Sequence, residues 1–115
     1  MRLPNAEHAD VPDHKVRNYL LSSMHERGRT KAAFFREFGF TVDSWQVLAA
    51  ALVEHARIHD VARVDESRFG LRYIIEGALM APDGRAPLVR SVWFVAMGEE
   101  TVRFVTAYPL RRKPR

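Results

Sequence analysis

The spacing of apolar residues changes once along this chain, and that change limits the folds available to it. Before His59, apolar side chains recur every three or four residues, which is the pattern of amphipathic helices. After His59 they alternate with polar side chains, as in strands that bury one face. Because helical patterns come first and strand patterns follow, the sequence predicts an α+β domain.

About three helices are predicted in the first part of the chain. Residues that favour helix ends mark their limits: Pro12 and Asp13 for the first, Thr30 and Gly39 for the second, and Thr41 or Asp43 for the start of the third. The third helix carries a continuous apolar stripe made of Trp45, Leu48, Ala49, Leu52 and Ala56. Aromatic residues at helical spacing are most often core residues, so we assign these to the core.

Four strands are predicted at residues 62–68, 71–79, 88–97 and 102–109. The connections between them are short, and Asp83-Gly84 supplies the positive φ angles that tight hairpins favour. Short connections predict an antiparallel meander, with the helices packed on one face of the sheet. We therefore expect one domain at residues 1–109 and a flexible basic tail at residues 110–115.

Composition excludes several classes of function. The chain has no cysteine, which rules out disulfides, thiolate metal sites and a cysteine nucleophile. No apolar run reaches the roughly 20 residues of a membrane helix, and the N-terminus lacks the apolar core of a signal peptide. We expect a cytoplasmic protein with no membrane contact, or a domain delivered by a larger carrier. The net charge of +4 arises mainly in the tail, so it is weak evidence for a nucleic-acid partner.

The last strand carries groups that can hold a phosphate and move a proton. Arg103, Thr106 and Tyr108 lie just before Pro109. Thr106 and Tyr108 share a face of a regular strand, and Arg103 then points to the other face. The alternative is that Thr106 and Tyr108 are present simply because both residue types favour strands.

A dense polar loop precedes the second helix. Arg27, Arg29 and Lys31 stand at the predicted helix start, where unpaired backbone N–H groups favour anions, so this loop is a candidate phosphate site. His25 is the natural proton carrier, because its ordinary pKa lies near neutrality. The alternative is a solvated surface loop.

Two residues of the third strand complete the candidate set. Arg90 interrupts an apolar face, so it needs either a carboxylate partner or a ligand anion. Trp93 points to the opposite face and either covers the sheet or stacks on a base. His55 and His59 are four residues apart, but no third ligand is evident, so we predict neither a metal nor another cofactor.

These residue types are sufficient to cut RNA without a metal. One group takes the proton of the 2′-hydroxyl, a second protonates the leaving 5′-oxygen, and cations stabilise the charge on the phosphate. No metal is needed, because the RNA supplies its own nucleophile.

Several segments resemble an uncharacterised bacterial family of small domains of unknown function, DUF6883. The resemblance covers nearly the whole chain and is carried by residues 3–7, 19–22, 31–35, 39–40, 82–85, 92–94 and 103–109, together with His25 and Gly28. The layout of helices, a four-stranded sheet and an Arg…Thr-x-Tyr last strand is similar to the bacterial toxin ribonucleases, which include barnase, the RelE-type toxins and colicin nuclease domains.

That resemblance implies roles for individual residues. His25 or Lys31 would be the acid, base or phosphate clamp on the helix side, and Arg103, Thr106 and Tyr108 would act from the strand side. The chain departs from barnase, which uses a glutamate base on its sheet. Glu76 is the nearest candidate for that base here.

We therefore expect a metal-independent endoribonuclease toxin that cleaves tRNA or mRNA and is neutralised by an acidic antitoxin or immunity protein. The alternative is a non-catalytic binding module, either an appendage of a phage particle or surface protein, or an RNA-binding domain. The sequence does not indicate an oligomeric state.

Overall fold

The computed structural model of the chain describes residues 1–17 and 29–110, and the side chains of residues 29–31 are also outside the description. Within these residues, a short 3-10 helix (Ala6–His8) precedes three α-helices: α1 (Asp13–Lys15), α2 (Arg29–Glu37) and α3 (Trp45–Ile58). Four strands follow: β1 (Val61–Ser67), β2 (Gly70–Ala78), β3 (Leu88–Ala96) and β4 (Val102–Pro109). The strands form one antiparallel sheet in the order β1-β2-β3-β4. The predicted α+β class is confirmed, and each strand limit lies within one residue of its prediction.

Helix α3 packs its apolar stripe against the sheet. Leu48, Leu52 and Ala56 are fully buried, and their spacing of four residues places them on one side of the helix. They join a core with Ile75 and Trp93 from the central strands. Burying a leucine side chain contributes about 1.5–3 kcal/mol, so this face holds α3 on the sheet.

Helix α2 ends at the glycine that the sequence predicts. Gly39 has φ +101°, which a residue with a Cβ rarely adopts. Its N–H donates to the Arg36 carbonyl at 3.0 Å, and the N–H of Phe40 donates to the Phe35 carbonyl at 3.2 Å. This pair of bonds is the Schellman motif, which satisfies the last carbonyls of a helix.

Strand β4 contains a β-bulge that changes which side chains share a face. Thr106 pairs with Val92, but the next pair joins Phe104 to Trp93, so Val105 is an extra residue. Phe104 and Ala107 are consequently both buried, although they are three residues apart. On the N-terminal side of the bulge, each β4 side chain therefore points to the face opposite to the one expected from regular alternation.

The N-terminal segment spans the sheet from its first strand to its last. The Met1 carbonyl accepts the N–H of Val61 in β1 at 2.7 Å, and Asp10 pairs with β4 through a parallel bridge to Arg103. Leu3, between these two ends, is buried in the core. The first ten residues are therefore an integral part of the domain.

The limits of the domain and of its tail remain predictions. Leu110 still donates its N–H to the Leu88 carbonyl at 3.0 Å, and residues 111–115 lie outside the described part of the chain. Within residues 1–17 and 29–110, no helix has the length and apolar character needed to cross a membrane.

Candidate active site

Three polar side chains lie side by side across the sheet, one on each of strands β2, β3 and β4. Glu76 is paired in register with Arg90, and Arg90 is paired with Tyr108. Directly opposite residues of antiparallel strands project to the same face with Cβ atoms about 4.5–5.5 Å apart. We call these residues the Glu76–Arg90–Tyr108 row.

The side chains of the row are in contact through the Arg90 guanidinium. Arg90 Nε donates to Glu76 Oε2 at 2.7 Å, and the Arg90 Nη2 donates to the same oxygen. Arg90 Nη1 donates to the Tyr108 hydroxyl oxygen at 3.3 Å. The side chains of Glu76 and Arg90 are 30% and 34% exposed, so a ligand in solution can reach both. The sequence predicted either a carboxylate partner or a ligand anion for Arg90. The structure shows a carboxylate partner, which is Glu76.

The row lies on the face of the sheet opposite α3. Ser91, which follows Arg90, hydrogen-bonds His55 of α3 at 2.9 Å, so Ser91 faces that helix. Successive side chains of a strand point to opposite faces, so Arg90 and its two partners point away from α3. The helix stabilises the sheet from one side, and the polar row occupies the other.

The surroundings of Arg90 hold it in the charged form. Its hydrogen bond to Tyr108 and its pairing with Glu76 raise the pKa of the Arg90 guanidinium above its ordinary value. An ion pair that is one-third exposed contributes only about 0–1 kcal/mol to stability. The guanidinium can therefore be shared with an arriving anion at little cost to the fold.

The other two β4 candidates also lie on this face, Thr106 by regular alternation and Arg103 because of the bulge. Thr106 is opposite Val92, two residues from Arg90 on β3, so it is the neighbour of Tyr108 on the face. Arg103 is opposite Phe94, which also shares the face of Arg90. A regular strand would have placed Arg103 on the opposite face, and the bulge corrects that expectation.

Arg103 nevertheless lies at the far end of the sheet from the row. Phe94 is four residues from Arg90, which corresponds to about 13 Å along a strand. Arg103 is exposed and lies 3.6 Å from a carboxylate oxygen of Glu99. The structure therefore brings Arg90, Thr106 and Tyr108 together and places Arg103 in a separate row.

Trp93 does not belong to this surface. Its side chain is fully buried, its ring packs edge-on against Phe104 at 5.3 Å, and its Nε1 donates to the Ser91 hydroxyl at 2.8 Å. A ring enclosed on all sides offers no face on which a base can stack. We therefore correct the RNA-contact prediction for Trp93 and assign the residue to the core.

The candidate residues before α3 are only partly covered by the structure. His25 and Arg27 lie outside the described residues. Arg29 and Lys31 lie in the first turn of α2, near the predicted helix start, but their side chains also lie outside the description. The roles predicted for these four residues remain predictions.

His55 and His59 serve the packing of α3. His55 is buried, and its two ring nitrogens lie within 3.1 Å of Ser91 and of the Val89 and Gly77 carbonyls. His59 Nε2 lies 2.8 Å from the Ala78 carbonyl. Among the described residues, no group of three or more His, Cys, Asp or Glu side chains could hold a metal ion.

Sequence reasoning gave too little weight to Glu76 and missed Lys15. Glu76 and Arg90 are each seven residues from Asp83 in the predicted hairpin turn, so counting outwards from that turn would have paired them. Lys15 donates to the Val105 carbonyl at 3.3 Å, so it places a cation at the bulge. No pattern in the sequence indicates that contact, because it joins residues 90 positions apart.

Comparison with known proteins gives one family and a similar solved structure. Residues 2–111 match the model of a domain of unknown function, DUF6883. The fold is similar to a chain in the structure of a contact-dependent growth inhibition toxin–immunity protein complex from Klebsiella pneumoniae 342. That similarity has a TM-score of 0.68 at 19% identity and covers 87% of this chain and 98% of the other. The comparison with curated proteins gives no match.

Proposed function

The chain belongs to the DUF6883 family, and we propose that it is a metal-independent endoribonuclease of the toxin class, neutralised by an immunity protein. The observation that carries the proposal is the Glu76–Arg90–Tyr108 row, which places a carboxylate, a guanidinium and a phenol in contact on one face. The similarity of the fold to a chain of a toxin–immunity complex supports the toxin class.

Glu76 is the proposed general base. Its carboxylate takes the proton of a ribose 2′-hydroxyl, and the 2′-oxygen then attacks the adjacent phosphorus. The bond from phosphorus to the 5′-oxygen breaks, which leaves a 2′,3′-cyclic phosphate on one fragment and a 5′-hydroxyl on the other. The nucleophile comes from the RNA, so the protein has only to move protons and stabilise charge.

Arg90 is the proposed phosphate ligand. A guanidinium presents several N–H groups in a planar fork that suits two phosphate oxygens. In the row, Arg90 already orients that fork between Glu76 and Tyr108. A fixed cation beside the phosphate stabilises the negative charge that builds in the transition state.

The proton for the leaving 5′-oxygen has two candidate sources. Tyr108 is the first candidate, because its hydroxyl oxygen accepts a hydrogen bond from Arg90 and so lies beside the proposed phosphate ligand. His25 is the second candidate, because an imidazole titrates near neutral pH. Thr106 lies beside Tyr108 on the face, where its hydroxyl can orient the substrate.

RNA and an acidic immunity protein are the proposed partners. Lys31, Arg27 and Arg29 of the helix side would bind backbone phosphates, and Arg90 and Arg103 would bind them on the sheet. An acidic immunity protein that covers these cations blocks RNA and associates faster at low ionic strength. We propose that the domain acts in the cytoplasm, where its RNA substrates are found.

A matched pair of variants tests the proposal. Purified wild type, Glu76→Gln and Glu54→Gln are incubated with total RNA in excess EDTA. Glu54 is an exposed carboxylate on α3 that pairs with Arg57, so its replacement controls for loss of an ion pair elsewhere. We expect Glu76→Gln to slow cleavage by about 10²–10⁴-fold and Glu54→Gln to cut like the wild type. Equal cleavage by the two variants would exclude Glu76 as the base.

A non-catalytic binding module is the second candidate function. It is favoured by one observation: Arg90 is already neutralised by Glu76, as in an ion pair that serves only structure. Such a module would bind RNA or a protein partner and leave RNA intact. Intact RNA after incubation with folded wild-type protein, together with measurable binding, would establish this alternative.

A further inference from the structure

A pocket lies on the same face of the sheet, at the end away from the Glu76–Arg90–Tyr108 row. Its volume is about 450 Å³, within the range of about 300–1,000 Å³ typical of small-ligand sites. Phe69, Phe94, Arg72 and the bulge residue Val105 line it, together with Asp65, Glu66 and Ser67. Arg72 is paired in register with Phe94, four residues from Glu76 on β2, so the pocket is about 13 Å from the row.

The groups in this pocket are not explained by packing. Phe69 is 65% exposed, and the Arg68 guanidinium covers its ring at 4.9 Å from the centroid. Arg72 is exposed and forms no ion pair with any residue in the described ranges. Asp65 is opposite Arg72 in register, but its carboxylate pairs with Arg63 at 3.1 Å. Exposed aromatic rings and cations together bind single-stranded nucleic acids, through base stacking and phosphate contact.

We propose that this pocket binds one unpaired nucleotide of the RNA whose scissile phosphate lies on Arg90, with its base stacked on Phe69 or Phe94 and its phosphate on Arg72. This inference rests on the proposed ribonuclease function. The spacing of about 13 Å from the row requires an oligonucleotide rather than a dinucleotide. A base must leave a duplex to enter such a pocket, so the substrate is single-stranded at this point.

The β4 bulge shapes this subsite. It turns Arg103 to the face where Phe94 lies and brings Val105 into the pocket wall. Arg103 is opposite Phe94 and pairs with Glu99 at 3.6 Å. The bulge therefore determines which β4 residues face the pocket end of the proposed RNA path.

Binding of an uncleavable RNA tests the subsite without relying on catalysis. The probe is a fluorescent single-stranded oligonucleotide with 2′-O-methyl groups throughout, which removes the nucleophile, and anisotropy gives Kd. We expect Phe69→Ala to raise Kd about tenfold, and Arg72→Gln to weaken binding and reduce its dependence on salt. The control variants are Met80→Ala, an exposed apolar residue, and Arg57→Gln on α3, and they should bind like the wild type.

Cleavage kinetics provide the second readout. A subsite that only positions RNA raises KM in Phe69→Ala and leaves kcat unchanged. If Phe69→Ala and Arg72→Gln bind and cut RNA like the wild type, the proposed subsite is refuted. If Arg90→Ala fails to bind RNA in the same assay, the proposed function is still supported. A wild type that neither binds nor cuts RNA would overturn both proposals.

Discussion

Replacement of His55 by leucine is expected to destabilise the domain strongly, because His55 links α3 to the two central strands. Its Nε2 lies 3.0 Å from the Val89 carbonyl and 3.1 Å from the Gly77 carbonyl. Carbonyl oxygens only accept, so Nε2 carries the proton and Nδ1 accepts from the Ser91 hydroxyl at 2.9 Å. The Ser91 oxygen in turn accepts the indole N–H of Trp93 at 2.8 Å.

The magnitude follows from these contacts. A hydrogen bond contributes about 0.5–1.5 kcal/mol, and a buried polar group that loses its partner costs about 1–3 kcal/mol. Leucine cannot form the hydrogen bond to the Ser91 hydroxyl, and it lacks the N–H that the Val89 and Gly77 carbonyls share. The expected loss is about 3 kcal/mol in the free energy of unfolding. For a domain of this size, that loss lowers Tm by on the order of 10 °C or more.

The same residue gives the stability a pH dependence. Burial lowers the pKa of His55 from its ordinary value, the charge of His59 acts in the same direction, and the hydrogen bonds to the Gly77 and Val89 carbonyls oppose them. The unfolded chain therefore binds a proton near pH 6.5, where the native state does not. The stabilisation is complete above about pH 6.5 and is lost progressively as the pH falls below it.

Urea unfolding at pH 7.5 and pH 5.5, followed by tryptophan fluorescence, measures both effects. His14→Leu, at an exposed position of α1, is the matched control and should behave like the wild type. His55→Leu should be less stable at pH 7.5 and should lose less stability on acidification. An unchanged midpoint at pH 7.5, or an unchanged pH dependence, would refute the reasoning.

Two further predictions concern other parts of the fold, and a third concerns the proposed partner. Gly77→Ala should cost about 1–3 kcal/mol, since its Cβ would lie 2.6 Å from the His59 ring; a wild-type urea midpoint would contradict this. Arg85→Ala should lower stability by about 1 kcal/mol in thermal unfolding, because Arg85 donates to the Glu37 carbonyl at 2.9 Å and lies 4.3 Å from the centre of the Phe38 ring; no shift in Tm would count against that link. The association rate of the proposed immunity protein should fall as salt rises, and a salt-independent rate would exclude an acidic partner steered by charge.

The strands were predictable because each has a clear alternation and a short turn at its end. Asp83-Gly84 predicted the hairpin between β2 and β3, and the structure places a turn there. The end of α2 at Gly39 was predictable for the same reason, because glycine readily adopts the positive φ angle found at helix C-termini. These features depend on a few neighbouring residues, which the sequence displays directly.

The faces of the sheet were less predictable than its strands. Val92 and Trp93 are consecutive apolar residues that point to opposite faces, and both are fully buried. The alternation of apolar residues in β3 therefore did not show which face packs against α3. Val105 is the extra residue of the bulge, but valine favours strands, as does the neighbouring Thr106. Nothing in the sequence therefore indicated an irregularity there. The bulge decides where Arg103 points, so the face of that residue could not be predicted from the sequence.

The central claim is that Glu76 and Arg90 cut RNA through its own 2′-hydroxyl. The most direct measurement is to express the wild type and Glu76→Gln from a repressed promoter and map RNA fragments that end in 2′,3′-cyclic phosphate. We predict discrete new ends and growth arrest with the wild type, and neither with folded Glu76→Gln at the same protein level. Intact RNA and normal growth with the folded wild type, or the same cuts with Glu76→Gln, would contradict the claim.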